Sequence, residues 1–244
     1  MAFGLIALPD SGWFDATTLA TLVGGVVLLA GFVWHEGRAP APMMPLGLFR
    51  SATFSGVNAL TLLLYGALGG AMFLLPFALI SVHGYSATMA GAVFLPFTAI
   101  MAVLSRWSGG LLDRFGARLP LVAGPAVVAA GFVLFALAGP ETSYVLAFLL
   151  PVSVVGLGMA VTVAPLTTTV IAAVPGHQTG VASGVNNAVA SVASLFAIAA
   201  FGALALHGSL AEGIRLAMLA AAGLALAAAV CAALTIRGSG ARGR

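Results

Sequence analysis

The sequence predicts an all-α fold, a polytopic helical membrane protein, and three observations lead there. Of 244 residues, 61% are apolar and 6% charged, whereas a soluble domain spends about a quarter of its residues on charge. A water-soluble globule is thereby excluded. The ionisable residues divide the chain into apolar stretches near the roughly 20 residues that cross a bilayer. Of the nine basic residues, all arginines, eight gather on one side once those stretches are alternated across a membrane.

Seven spans follow from this division. The first covers about 16–34 and is closed by His35, Glu36 and Arg38. Residues 1–38 therefore form a unit made of an apolar stub (1–8), an outer loop and one helix. A Pro-rich cytoplasmic connector, 39–50, ends in the amphipathic Leu46-Gly47-Leu48-Phe49-Arg50. The second span, about 53–82, is long enough to tilt and carries Pro76, which kinks a membrane helix without ending it. After a polar turn at 83–86 come the third span (87–108), a loop (109–118) with Asp113, Arg114 and Arg118, and the fourth span (119–138). Gly139-Pro140-Glu141-Thr142 breaks the chain again. The fifth span fills 144–174 with Pro151 and Pro165 inside it, the sixth runs over 180–206, and the seventh over 215–236. Residues 51–236 are expected to form one bundle, and 237–244 a basic tail.

With this division Arg38, Arg50, Arg106, Arg114, Arg118, Arg237, Arg242 and Arg244 fall on one face, eight of nine. Asp10, Asp15, Glu141 and Glu212 fall on the other, with only Arg215 against them. The positive-inside rule makes the arginine face cytoplasmic and places the C-terminus inside. The formal charge of +3 is read as topology; it supplies no dense basic patch and predicts no nucleic-acid partner. The stub 1–8 is too short to cross and lacks the basic start of a signal peptide. It looks like the last turns of a helix, so the chain reads as the C-terminal portion of something larger.

The loop between spans three and four reads Gly109-Gly110-Leu111-Leu112-Asp113-Arg114-Phe115-Gly116-Ala117-Arg118. It resembles the major facilitator superfamily pattern G-x-L-x-D-R-x-G-x-R, carried here by Gly109, Leu111, Asp113, Arg114, Gly116 and Arg118. Glycine permits a tight reversal, Asp113 can accept from a helix N-terminus, and the arginines can bind carbonyl ends or lipid phosphates. On spacing alone an ordinary basic turn fits equally well. Three further stretches resemble the C-terminal half of the 14-helix drug:proton antiporters of that superfamily: 43–49 leading into Phe54-Ser55-Gly56-Val57-Asn58, 156–167, and Gly180-Val181-Ala182-Ser183-Gly184-Val185-Asn186-Asn187-Ala188. By that resemblance the first span matches the second extra central helix, and spans two to seven the six-helix C-terminal domain. Ser191 stands where many relatives carry Arg, Ser194 at a usual Gly, and Arg106 at an uncharged position, often Pro.

The resemblance implies a plasma-membrane multidrug efflux transporter driven by the proton gradient. Its partners are the lipid bilayer, an N-terminal six-helix half and a small hydrophobic or amphipathic substrate. The family's membrane-embedded acidic residue and antiporter Gly-Pro signature belong to that other half. Substrate would bind near the midplane between two bundles built from inverted three-helix repeats, here spans two to four and five to seven. The first and fourth helices of such a bundle line the cavity, which selects Asn58, Thr61, Tyr65, Thr162, Thr167 and Thr168. Against that stands the habit of membrane threonines of bonding their own backbone.

Asn186 and Asn187 are expected to be buried against partner helices, since two carboxamides in an apolar helix avoid lipid. Small residues four apart, Gly180, Gly184 and Ala188, and likewise Gly66 and Gly70, suit close helix packing. Phe73, Phe77, Phe94 and Phe97 are expected mainly in packing. No enzyme is predicted: no base reaches Ser183, no Walker loop is present, and the four histidines are separated by the membrane, so neither metal nor cofactor is expected. The other reading is a non-transporting remnant or an interaction module docking on a complete transporter.

Overall fold

The computed structural model describes residues 16–38, 45–139, 142–206 and 208–236. The stub, the Pro-rich part of the connector, Glu141, His207 and the arginines of the tail lie outside them. The protein is all helix there: α1 (Ala16–Glu36), α2 (Ala52–Phe77), α3 (Ala87–Ala92), α4 (Leu95–Phe115), α5 (Arg118–Leu137), α6 (Leu150–Ala172), α7 (Thr179–Ala205) and α8 (Leu210–Thr235). A 3-10 turn, Leu46–Arg50, leads into α2 with Leu48 buried. Six stretches are long and apolar enough to span a membrane: Ala52–Val82, Ala87–Ser105, Arg118–Leu137, Val145–Ala172, Gly176–Ala205 and Leu210–Thr235. The protein is thus a multi-pass integral membrane protein with a six-span bundle, preceded by the 21-residue α1.

Caps decide where several helices start. Ser51 accepts from the Phe54 amide and Ser86 from the Met89 amide, each at 3.3 Å. Ser209 and Glu212 form a reciprocal capping box, so α8 begins at Leu210 and not at Arg215 as the charge pattern suggested. The Ser-Leu-Ala-Glu spacing carried that signal. The expected loop at 109–118 is another difference: α4 continues through it to Phe115, and the reversal shrinks to Gly116 and Ala117. Gly116 takes φ +69°, which a residue with a Cβ adopts only at a cost, and one such residue suffices to turn the chain.

Proline and the helix interior meet at the start of α6. Residues 145–149 form a π-helical turn in which the Leu150 amide reaches the Val145 carbonyl. Pro151 donates no amide, and in an α-helix its ring would strike the carbonyl four residues back; the wider turn relieves that clash. A second π-helical turn, 78–82, follows α2 just after Pro76.

Ordered by their main contacts, the spanning helices form a series α4, α6, α5, α8, α2, α7. Exchanging α2 with α6, α4 with α7 and α5 with α8 maps this series onto itself. That is the relation expected of two three-helix repeats. Lipid offers apolar side chains no reason to cluster, so close packing and polar bonds hold such helices together. Phe54, Leu60, Leu64 and Phe132 fill the centre, fully buried. The ends of the series are the least covered: in an apolar 18-residue stretch of each span, 11% of residues are buried in α3–α4 and 22% in α7, against 44 to 56% in the other four.

Candidate functional site

Glycines set how closely the helices approach. A Cβ on Gly70 would lie 2.5 Å from the Phe201 ring, and one on Gly66 would meet Ala193 and Ala197, so both face α7. Between α5 and α6 the contact is backbone to backbone. A Cβ on Gly158 would sit 2.6 Å from the Gly124 carbonyl, and one on Gly124 would strike the Thr162 hydroxyl.

Inside the α2–α7 contact lies a polar node. The Asn186 amide donates to the Thr61 hydroxyl at 2.7 Å and to Asn58 Oδ1 at 3.2 Å. Asn58 and Thr61 in turn donate to the Phe54 and Val57 carbonyls of their own helix, both at 2.9 Å. All three are buried, at 4, 0 and 9% exposure for Asn58, Thr61 and Asn186. Next to them the Ser194 hydroxyl bridges the Tyr65 and Ala190 carbonyls. Ser194 ties α7 to α2, a role that its standing as a departure from Gly did not disclose.

Asn58 and Thr61 are buried in the α2–α7 interface; Thr162 is buried between α5 and α6, packed on Gly124 with its hydroxyl bonded to the Gly158 carbonyl at 2.7 Å. Tyr65 is half-buried against the core. Thr167 and Thr168 are exposed and bond back to Val163 and Ala164. Thr168 lines a cavity of about 490 Å³, but at the Gly116 end of the bundle, with Ser51, Thr53 and Ala117. Asn187 is exposed, as are Gly180, Gly184 and Ala188, and a Cβ on either glycine meets nothing within 4 Å. Successive residues of a helix point about 100° apart, so one asparagine enters the interface and its neighbour leaves it.

Loss of the Asn186 amide should be felt in stability. Asn186→Leu is expected to cost about 1–2 kcal/mol, because Asn58 and Thr61 lose a buried partner. Unfolding in mixed micelles would measure it, and the cost should add less than fully to that of Thr61→Val. Strict additivity would mean that the two residues do not interact.

In the loop motif, Arg118 donates to the Ala233 carbonyl at 2.8 Å, holding the start of α5 against the end of α8. The guanidinium thereby satisfies a carbonyl near the negative end of a helix. Arg114 is exposed. The side chains of Leu111 and Asp113, with Gly109 and Arg106, fall outside the described residues. At the opposite end His83, Tyr85, Tyr144 and Phe148 form an aromatic cluster with ring separations from 5.0 Å, and the Tyr144 hydroxyl donates to the Met89 carbonyl. Burial lowers the basicity of the His83 ring. Among the described residues no three His, Cys, Asp or Glu side chains gather in a way that could hold a metal. Cys231 is half-buried on α8.

The sequence profile of the Major Facilitator Superfamily matches residues 2–198. The chain is 33% identical over 204 residues to the Tetracenomycin C resistance and export protein of Streptomyces glaucescens, covering 84% of this chain and 38% of that protein. It is 31% identical over 204 residues to the Multidrug resistance protein Stp of Mycobacterium tuberculosis, with the same coverage. Quinolone resistance protein NorB of Staphylococcus aureus is 29% identical over 187 residues, 76% of this chain and 40% of its own length. The chain therefore spans about 40% of the length of these relatives.

Proposed function

The chain belongs to the Major Facilitator Superfamily, and from that premise we propose that it is the C-terminal half of a proton-coupled multidrug efflux transporter. It exports hydrophobic or amphipathic compounds only together with an N-terminal six-helix half, on the same polypeptide or beside it. The arginine-bearing end faces the cytoplasm of a plasma-membrane protein.

The observation that carries this reading is the open face of α7. Gly180, Gly184, Ala188 and Ser191 are exposed there beside Asn187, which lies about 12 Å along the helix at 1.5 Å per residue. Asn187 has no hydrogen-bond partner among the described residues. A carboxamide at that depth in lipid is costly, and small residues let a second helix come close. Both features ask for a covering helix. The 60% or so of the relatives' length that this chain does not span is long enough to supply six more. Names of the relatives that specify drug resistance or export support the substrate class. Glu212, at the first turn of α8, sits at a helix end, which favours coupling carboxylates in the other half.

Proton-driven efflux from cells producing this chain alone, and the chain with an N-terminal half, tests the proposal. Efflux is expected only in the combined form. Efflux by the chain alone would overturn the requirement for a partner. Inactivity of both, with insertion verified, would favour a non-transporting membrane protein.

A further inference from the structure

Both π-helical turns, 78–82 and 145–149, reach the wall of one cavity of about 340 Å³ at the His83 end of the bundle. That volume lies in the range of small-ligand sites. π-Helical turns are frequent at functional sites. Leu75, Phe135, Phe148 and Met218 make the interior apolar, and His83 and Arg215 stand among its polar lining. His83 meets Phe148 edge to face at 5.0 Å, which stiffens the wall.

The charges at this cavity are not paired with each other. The Glu212 carboxylate is taken up by the capping box, accepting from the Ser209 amide at 3.1 Å and hydroxyl at 2.9 Å. Arg215 is exposed and has no hydrogen-bond or ion-pair partner among the described residues. A free guanidinium on an apolar cavity recognises a planar carboxylate or a phosphate through paired hydrogen bonds. The geometry points to a binding site for an anionic amphiphile, whose carboxylate or phosphate head meets Arg215 while its apolar body fills the cavity. No residue of α4 or α7 lines this cavity. The site is therefore separate from the open face of α7 and stands whether or not a second half docks there.

Photoactivatable probes on the purified full chain test this: a fatty acid, a phosphatidylglycerol and an alkylammonium of matched chain length. The fatty acid or the phosphatidylglycerol, or both, should label residues 75–83 and 211–218. Labelling by the fatty acid alone identifies a free carboxylate as the ligand, and by phosphatidylglycerol alone a lipid headgroup. Arg215→Gln should lower this labelling at least fivefold, and Ala211→Trp, which fills the cavity from an exposed position, should do the same. The melting temperature of each variant verifies that it folds. Equal labelling by the alkylammonium, or labelling unchanged in folded Arg215→Gln, would overturn the proposal.

Discussion

Gly158→Leu should abolish the compact bundle, while Gly184→Leu should leave it unchanged. The two glycines are equivalent by composition and each lies within a long apolar helix. At Gly158 the added Cβ would stand 2.6 Å from the Gly124 carbonyl and 2.8 Å from the Val128 amide nitrogen. Backbone atoms cannot rotate away as a side chain can, so α5 and α6 must separate. Even Gly158→Ala should cost about 1–3 kcal/mol, the usual range for overpacking. The leucine variant adds three more carbons and cuts α4 and α6 off from the rest of the helix series, since α6 connects α4 to α5. At Gly184 nothing lies within 4 Å. Size-exclusion profiles and proteolysis of the detergent-solubilised variants would separate the cases. A Gly158→Leu protein as monodisperse as Gly184→Leu would mean that α5 and α6 do not cross there.

Gly184→Trp should have the opposite signature: a stable bundle whose transport, in the presence of an N-terminal half, falls at least tenfold. The exposed face at Gly180, Gly184 and Ala188 admits a neighbouring helix only while it stays flat. An indole of the size introduced would hold that helix several ångströms away, and Asn187 would lose its cover. Melting temperature and efflux rate measured on the same variant are the readouts. Full transport by Gly184→Trp would place the second half elsewhere, and a fall in melting temperature of the isolated chain would mean that Gly184 packs within the bundle.

These paired outcomes mark how far the sequence could be read. Gly66/Gly70 and Gly180/Gly184 have the same spacing in similarly apolar helices, yet the first pair faces α7 and a Cβ on either of the second pair meets nothing within 4 Å. Spacing states which residues share a side of their own helix. It says nothing of what lies opposite. Asn58, Thr61 and Thr162 fitted either a cavity or an interface, because a threonine or asparagine in an apolar helix needs a partner in both. The structure puts them in interfaces, and a bond between residues 125 and 128 positions apart, as in the Asn186 node, leaves no local pattern. Arg118 was the easier case, since a guanidinium close to helix ends finds a carbonyl, here that of Ala233.

By itself the sequence determined the all-α membrane class, the approximate position of each apolar span, and the family, while the start of α8 and the end of α4 lay five and seven residues from where the charges put them. Those properties depend on hydrophobicity, charge and short motifs, each carried by neighbouring residues and imposed by the bilayer on any apolar stretch of sufficient length. The tertiary structure alone decided the order in which the helices pack, the burial of Asn186 beside an exposed Asn187, and the cavity assembled from α2, α5, the turn before α6 and α8. Each depends on close contact between distant segments, where a single methyl group settles whether two helices touch.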